Sequence, residues 1–313
     1  MSKHLVTAPA SVESAQGWLE VAEILAGDRT LNEHPIITFC VPITTPLCFD
    51  ETNCHIMKMG VRKGIPIEAQ TEPIAGATAP LSFAGGLLMG NAENLFLIIM
   101  AQLLKPGAPI TYSIGHGLTD LHTGNAIFYN ADKMLWQIAD IQMANFYNIP
   151  NWSSLSGSMV GRYDVQCGIE QALLMMPTVA SGTNILNGLG SCFNACGMSA
   201  EMIVIQADLA QLIERISDGI DITDEKLDFD SISAVGPGGH FLTEALTIKM
   251  LRSDEFFTKG SFDRSGERSS NDPKDSMLVR AHERVEELLA AHEPAVCGKT
   301  AEEIHRWCRQ REK

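Results

Sequence analysis

Short apolar runs and amphipathic stretches alternate along the chain. Residues 4–7, 36–41, 65–72, 110–113, 149–153 and 183–186 are rich in β-branched or apolar side chains and are led or closed by Pro, Gly or turn-forming residues. That pattern predicts short strands. Between them the apolar period lengthens to that of a helix. Residues 11–26 put Leu19, Ala22, Leu25 and Ala26 on one side and stop at Gly27. Residues 91–104 are strongly apolar up to Lys105-Pro106-Gly107. Asn130 is placed to cap a helix carrying Met134, Ile138 and Ile141 at helical spacing. A further helix opens at Asp164 and runs toward Met176, where Pro177 is expected to end or kink it. Ser199 is placed to cap another through Ile216, with Ile205, Leu209 and Leu212 on its core side.

Strand onsets fall about 30 to 45 residues apart, the length of one strand–helix unit. Near-continuously apolar strands in such an alternation predict a parallel sheet covered by helices. An open doubly wound sheet and a closed barrel both fit. No G-x-G-x-x-G follows the first strand and no G-x-x-x-x-G-K-[ST] occurs; Gly236-Pro237-Gly238-Gly239-His240 lies late and lacks a Lys. The expected fold is therefore α/β, a TIM-type (β/α) barrel. A complete barrel needs eight strands, and five clear ones plus 4–7 leave it short, so it is expected to be incomplete at the N-terminus. From residue 254 the chain turns polar and Gly/Ser-rich. A charged amphipathic helix over 277–291 and a last helix opened by the capping box Thr300-x-x-Glu303 follow. This divides the chain into a barrel portion, 1–253, and a helical C-terminal extension, 254–313, packed on it.

Charge and composition narrow the function classes. Among 313 residues, 23 Lys and Arg stand against 38 Asp and Glu, a formal net charge of −15. So acidic a chain is not expected to bind nucleic acid, which needs a basic face. The mean hydropathy is +0.03, and the longest predominantly apolar run, 95–104, is about half a bilayer-spanning length; no membrane partner is expected. No basic segment followed by an apolar one opens the chain, so the expected location is cytoplasmic. The eight cysteines are irregularly spaced and are read as reduced thiols. Cys192 and Cys196 lack a second ligand pair at zinc spacing, and no metal is expected.

Parallel barrels carry their chemistry at the C-terminal ends of the strands. The run 65–72 alternates, so Glu68, Gln70 and Glu72 share one face. Either they bind a cation or manage a proton, or they form a solvated barrel end with an inter-strand ion pair. The next strand leads to Ser113, His116, Asp120 and His122; Gly115-His116-Gly117 also reads as a tight turn. Trp152 offers an indole face for a quaternary ammonium, or ordinary core. Asn184 and Asn187 flank another strand end, and His240-Phe241 follow the glycine-rich segment. No Ser/His/Asp or Cys/His nucleophile signature is present.

These segments, taken in order, resemble a known family. Residues 73–85 (PIAGATAPLSFAG), Gly90-Asn91-Ala92-Glu93, residues 101–107 (AQLLKPG), Asp164-Val165-Gln166-x-x-x-Glu170 and Gly236-x-Gly238-Gly239-His240-Phe241-Leu242 are similar in order and spacing to the trimethylamine/glycine betaine methyltransferase family, over about residues 8–290. The resemblance implies a TIM barrel that moves a methyl group from a methylated amine to the cobalt of a partner corrinoid protein. No cofactor is then bound tightly by this chain itself. Trimethylamine-specific members carry pyrrolysine in the loop before the D-x-Q segment. Here residues 156–163 (SGSMVGRY) hold no lysine-type residue, which shifts the expected donor to a quaternary amine such as a betaine. Family members are longer at the N-terminus. Binding of the ammonium falls to Trp152, Phe241, Glu68 and Glu72, and of a carboxylate to Gln70, His116, Asn187 or His240. A homo-oligomer is expected, because a partial barrel exposes strand edges and apolar faces. Two other readings stand beside this one: a barrel acid–base enzyme using Glu68 and His240, and a non-catalytic partial barrel that binds a partner.

Overall fold

The structure, a computed structural model, describes residues 4–154, 157–256, 260–266 and 270–311. Its strands are β1 (Leu5–Thr7), β2 (Ile37–Pro42), β3 (Ile67–Thr71), β4 (Ile74–Ala75), β5 (Ile110–Ile114), β6 (Gly117–Thr119), β7 (Ala126–Ile127), β8 (Trp152–Ser154), β9 (Ile185–Asn187), β10 (Ser191–Cys192) and β11 (Gly197–Met198). The helices are α1 (Val12–Ala26), α2 (Glu51–Lys63), α3 (Phe83–Leu104), α4 (Ala131–Tyr147), α5 (Val165–Ala180), α6 (Ala200–Ser217), α7 (Asp224–Leu227), α8 (Phe229–Val235), α9 (Ala245–Leu251), α10 (Met277–Ala290) and α11 (Gly298–Arg311).

β1, β2, β3 and β5 form a parallel sheet in that order, and β8 and β9 a parallel pair. A parallel bridge between Tyr112 and Asn151, with the Tyr112 amide donating to Pro150 O at 2.8 Å, joins β5 to β8. The six principal strands thus lie side by side in chain order, each pair connected through a helix. This one-way winding differs from a doubly wound sheet, whose strand order reverses at a switch point. No sheet closes among the described residues, so the observed architecture is α/β with helices over a parallel sheet. A smaller sheet of β4, β6 and β7 sits where β3 and β5 end, and β10 and β11 pair antiparallel after β9.

Alternation along the strands explains the layers. Ile37, Phe39 and Val41 on β2, Ile67 and Ala69 on β3, and Tyr112 and Ile114 on β5 are buried on the helix side. Gly60 of α2 lies against Phe39 and Ile67, where a Cβ would come within 2.8 Å of Ile67 Cδ1. Each long helix from α1 to α6 starts on a side chain that caps a backbone amide three residues on: Ser11, Asp50, Ser82, Asn130, Asp164 and Ser199. Of the two long C-terminal helices, α10 packs on α6 and α11 returns to α1. There Trp307 Nε1 donates to Glu20 Oε2 at 2.7 Å, and the Arg311 guanidinium stacks on the Trp307 ring.

Several boundaries differ from the sequence expectation. α2 has no counterpart in it, because residues 51–63 are polar apart from a narrow buried stripe of Ile56, Met57, Gly60 and Val61. α3 begins at Phe83, well before residue 91, and at 22 residues is long and apolar enough to cross a membrane by length and composition. In this fold it packs on β3 and β5 and buries two polar side chains. Asn94 Nδ2 donates to Ala69 O and Ser113 O at 2.8 and 2.7 Å, and Glu93 accepts from the Leu47 amide and from Thr71 Oγ1. α5 continues through Pro177 to Ala180, with Pro177 lacking the N–H that would bond back to the preceding turn. α11 starts at Gly298, ahead of the Thr300 box.

Candidate functional site

The strand registers assemble a polar face opposite the helices. Phe39 pairs with Ile67 and Ala69 with Tyr112 on the helix side, so Thr38, Cys40, Glu68, Gln70, Thr111 and Ser113 project to the other. Continuing the Tyr112–Asn151 pairing puts Gln70, Ser113 and Trp152 in one row across β3, β5 and β8. One step toward the C-terminal ends, Glu72 faces Gly115, and Asn187 lies on the same face of β9 as Ile185, the partner of Trp152. Gly115 and Glu72 are in close contact, since a Cβ on Gly115 would approach Glu72 Cγ to 3.1 Å.

Hydrogen bonds link these groups. Cys40 Sγ donates to Gln70 Oε1, Gln70 Nε2 donates to Glu72 Oε1 at 2.7 Å, and Ser113 Oγ donates to Glu68 Oε1 at 3.3 Å. Burial lifts the Glu68 carboxyl to about 7, against the neighbouring Cys40 thiol and the hydrogen bond from Ser113, which pull it down. The Cys40 thiol is pushed up by burial and by the neighbouring Glu68 carboxylate, which makes it a poor nucleophile. Glu72 is exposed, so this end of the row meets solvent. Trp152 is 8% exposed, and its Nε1 is buried with no hydrogen-bond partner among the described residues; Thr111 Oγ1 and Asn187 Oδ1 share that condition. A buried donor and acceptors left open on one face call for a ligand or ordered water.

A second set of buried charges lies between the sheet and α4. His116, just past β5, points to the helix layer, where its Nε2 is 3.2 Å from Asp140 Oδ1 and its ring stacks on Trp136 at 5.1 Å. Burial pushes the Asp140 carboxyl up while His116 and Lys133 pull it down. Lys133 is also buried, with its Nζ 5.5 Å from the Phe128 ring and 5.9 Å from the Tyr129 ring. Tyr129 OH meets Ser191 Oγ at 2.8 Å, and its ring lies so close to Gly157 that a Cβ there would overlap it.

Of the residues singled out in the sequence, Glu68, Gln70, Glu72, Trp152 and Asn187 share one face of the sheet. His116 stands beside them but is committed to Asp140. His240 and Phe241 lie in the exposed segment between α8 and α9, and no hydrogen bond or ring contact joins either to the strand-end residues among the described residues. Asp120 and His122 form the β6–β7 turn, where Asp120 accepts from the His122 amide. Cys40, Tyr129, Lys133 and Asp140 escaped the sequence reading. A signal for two of them was present: Lys133, Gln137 and Asp140 recur at helical spacing on the buried side of α4, a polar stripe among the apolar positions. In the D-x-Q segment, Asp164 caps α5, and Glu170 accepts from Ser158 Oγ at 2.6 Å and from the Met159 amide, tying down the loop after β8. Residues 155 and 156 of that loop lie outside the described residues.

Known proteins match this chain over most of its length. It is 31% identical over 284 residues to a glycine betaine methyltransferase from Desulfitobacterium hafniense, covering 90% of this chain and 59% of that protein. It is 29% identical over 279 residues to the trimethylamine methyltransferase MttB of Methanosarcina thermophila, covering 88% of this chain and 57% of that protein. The chain thus spans less than two thirds of the length of these relatives. The family model described as trimethylamine methyltransferase (MTTB) matches residues 1–313, and the chain belongs to that family.

Proposed function

We propose that this chain serves transfer of a methyl group from a quaternary methylated amine to the reduced cobalt of a partner corrinoid protein, on a sheet that belongs to a (β/α) barrel. The observation that carries this reading is the polar face itself. It combines an indole with an unpartnered N–H at Trp152, the carboxyl groups of Glu68 and Glu72, and the amides of Gln70 and Asn187. Family membership supports methyl transfer from an amine, and the one-way strand order supports the barrel.

A quaternary nitrogen leaves as a neutral tertiary amine. The N–CH₃ bond breaks with its electron pair going to nitrogen, the carbon bonds to the nucleophilic cobalt, and no proton donor is needed. The protein's task is to hold the N–CH₃ bond in line in a water-poor site. An aromatic face and nearby carboxylates suit the cation. The absence of a lysine-type residue in 156–163 favours a quaternary donor over trimethylamine.

Incubation of the protein with glycine betaine and a reduced corrinoid protein is expected to produce the methyl-cobalt absorbance, and Trp152→Ala to reduce its rate at least tenfold. A betaine panel that yields no methylated corrinoid with the wild type would refute the assignment. One observation favours a second reading. A carboxyl titrating near 7, Glu68, suits acid–base chemistry; that reading predicts turnover without corrinoid and a bell-shaped pH profile.

A further inference from the structure

Glu93 is a buried carboxyl group that the methyl-transfer reading leaves unused. It lies on α3, behind the sheet, at 1% exposure, and accepts from the Leu47 amide at 2.7 Å and from Thr71 Oγ1. Both donors sit at the C-terminal end of the sheet. Thr71 is the last residue of β3, between Gln70 and Glu72, and its buried side chain points back to α3. Leu47 belongs to the loop 43–50 that joins β2 to α2. That loop folds on itself, with Thr44 and Cys48 exchanging backbone bonds at 2.8 and 3.0 Å. It also runs along the end of β3, where the Ile43 amide donates to Gln70 O at 3.0 Å and Thr45 Oγ1 donates to Glu72 O at 3.2 Å.

Two unfavourable features meet at this contact. Taking a carboxyl group out of water destabilises the fold unless donors offset the loss. Leu47 has a φ of 54°, in the left-handed region that a leucine rarely adopts. Its side chain is 67% exposed, so core packing does not account for that backbone. A loop that only joined β2 to α2 would need neither feature, and strained backbone held by its surroundings is characteristic of functional sites. We propose that Glu93 is a positioning residue, which through Leu47 and Thr71 holds the 43–50 loop and the end of β3 as one unit and so sets where Gln70 and Glu72 stand in the polar row. Glu93 is not itself in that row. It fixes Thr71 from behind the sheet, while the loop fixes the carbonyls of Gln70 and Glu72 on either side. The two side chains, bonded to each other at 2.7 Å, are thereby held toward the open face. Asn94, next along α3, acts in parallel by donating to Ala69 O and Ser113 O, so the helix grips β3 and β5 at successive positions. This inference rests on the amine-binding reading for its ligand, whereas the hold on the loop stands on the hydrogen bonds alone.

The test pairs hydrogen exchange of the full chain with calorimetric binding of tetramethylammonium. Glu93→Ala is expected to speed exchange of the Ile43, Thr44, Leu47 and Cys48 amides about tenfold. It should also weaken tetramethylammonium at least fivefold. Glu93→Gln keeps an acceptor for the Leu47 amide and offers an N–H to Thr71 Oγ1, so it should restore both readouts to within twofold of the wild type. Faster exchange with unchanged affinity in Glu93→Ala would mark a structural anchor only and overturn the proposal, as would unchanged exchange. Thr45→Val removes the bond to Glu72 O without leaving a buried carboxyl group unpaired, so it decides the matter if Glu93→Ala does not fold. It should weaken tetramethylammonium two- to threefold at the same Tm, and an unchanged affinity overturns the proposal. A wild type that does not bind tetramethylammonium overturns the amine reading and the ligand half of this one. The hold on the loop is then decided by exchange in Glu93→Ala, where unchanged rates overturn it too.

Discussion

Glu68 is 3% exposed, and the hydrogen bond from Ser113 does not offset the water it has lost, so its carboxyl group titrates near 7 in the fold against an ordinary 4.5. Between those values the native state holds a proton that the unfolded chain releases. Stability therefore falls as pH rises from about 4.5 to about 7 and levels off above. The full shift corresponds to about 3 kcal/mol. Glu68→Gln keeps an acceptor for Ser113 Oγ without the charge. Urea unfolding at pH 5 and pH 8 should show the wild type losing most of that amount while the variant loses little; parallel losses would refute the assignment. The same residue shows what the sequence made legible. Two-residue alternation in 65–72 put Glu68, Gln70 and Glu72 on one face, because strand geometry leaves no other arrangement. The partners of that face were hidden. Lys133 and Asp140 reach the site region from a helix, and which of a helix's neighbours they meet is set by packing between distant segments. His116 was expected at the strand ends and is there, but its ring turns to Asp140 because the odd and even positions of β5 point oppositely.

At the level of elements, the parallel sheet depends on close approach between α2 and the strands beneath it. Gly60 sits mid-helix, where glycine costs about 1 kcal/mol against alanine, yet a Cβ at that point would press on Ile67 Cδ1 at 2.8 Å and Phe39 Cδ2 at 3.2 Å. Gly60→Leu overpacks this seam and is expected to destabilise by about 1–3 kcal/mol. A lowered denaturant midpoint with an unchanged slope checks it, and an unchanged midpoint would show that α2 is free to shift. The six principal strands were readable from their short apolar runs, whereas β4, β6, β7, β10 and β11, two or three residues each, carry no such run. α2 was not readable either, since its buried stripe is only Ile56, Met57, Gly60 and Val61 and the seam is made by a glycine. α5 runs three residues past Pro177, because a proline perturbs the turn before it while the residues after it keep their own N–H groups to bond back. α7, α8 and α9 are too short for a periodic signal.

For the whole molecule, the helix layer carries apolar side chains outward as well as inward. On α3, Leu88, Phe96, Ile99 and Leu103 are exposed at spacings that keep them on one side, and Ile169, Leu173 and Met176 do the same on α5. The chain exposes 18480 Å², whereas a compact monomer of its mass exposes about 12,800 Å². Obligate homodimers bury roughly 2,000–5,000 Å², so the surplus is large enough for such an interface. The expected occupant, as a prediction, is a second copy of this chain. A twofold pairing of one apolar helix face with itself needs no other partner. Light scattering coupled to size exclusion should give about twice the mass of one chain. Ile99→Glu combined with Leu103→Glu should return the protein to a monomer with the same helical circular dichroism, because both side chains face away from the sheet. A monomeric wild type, or a dimer untouched by the two charges, would rule out self-pairing through α3.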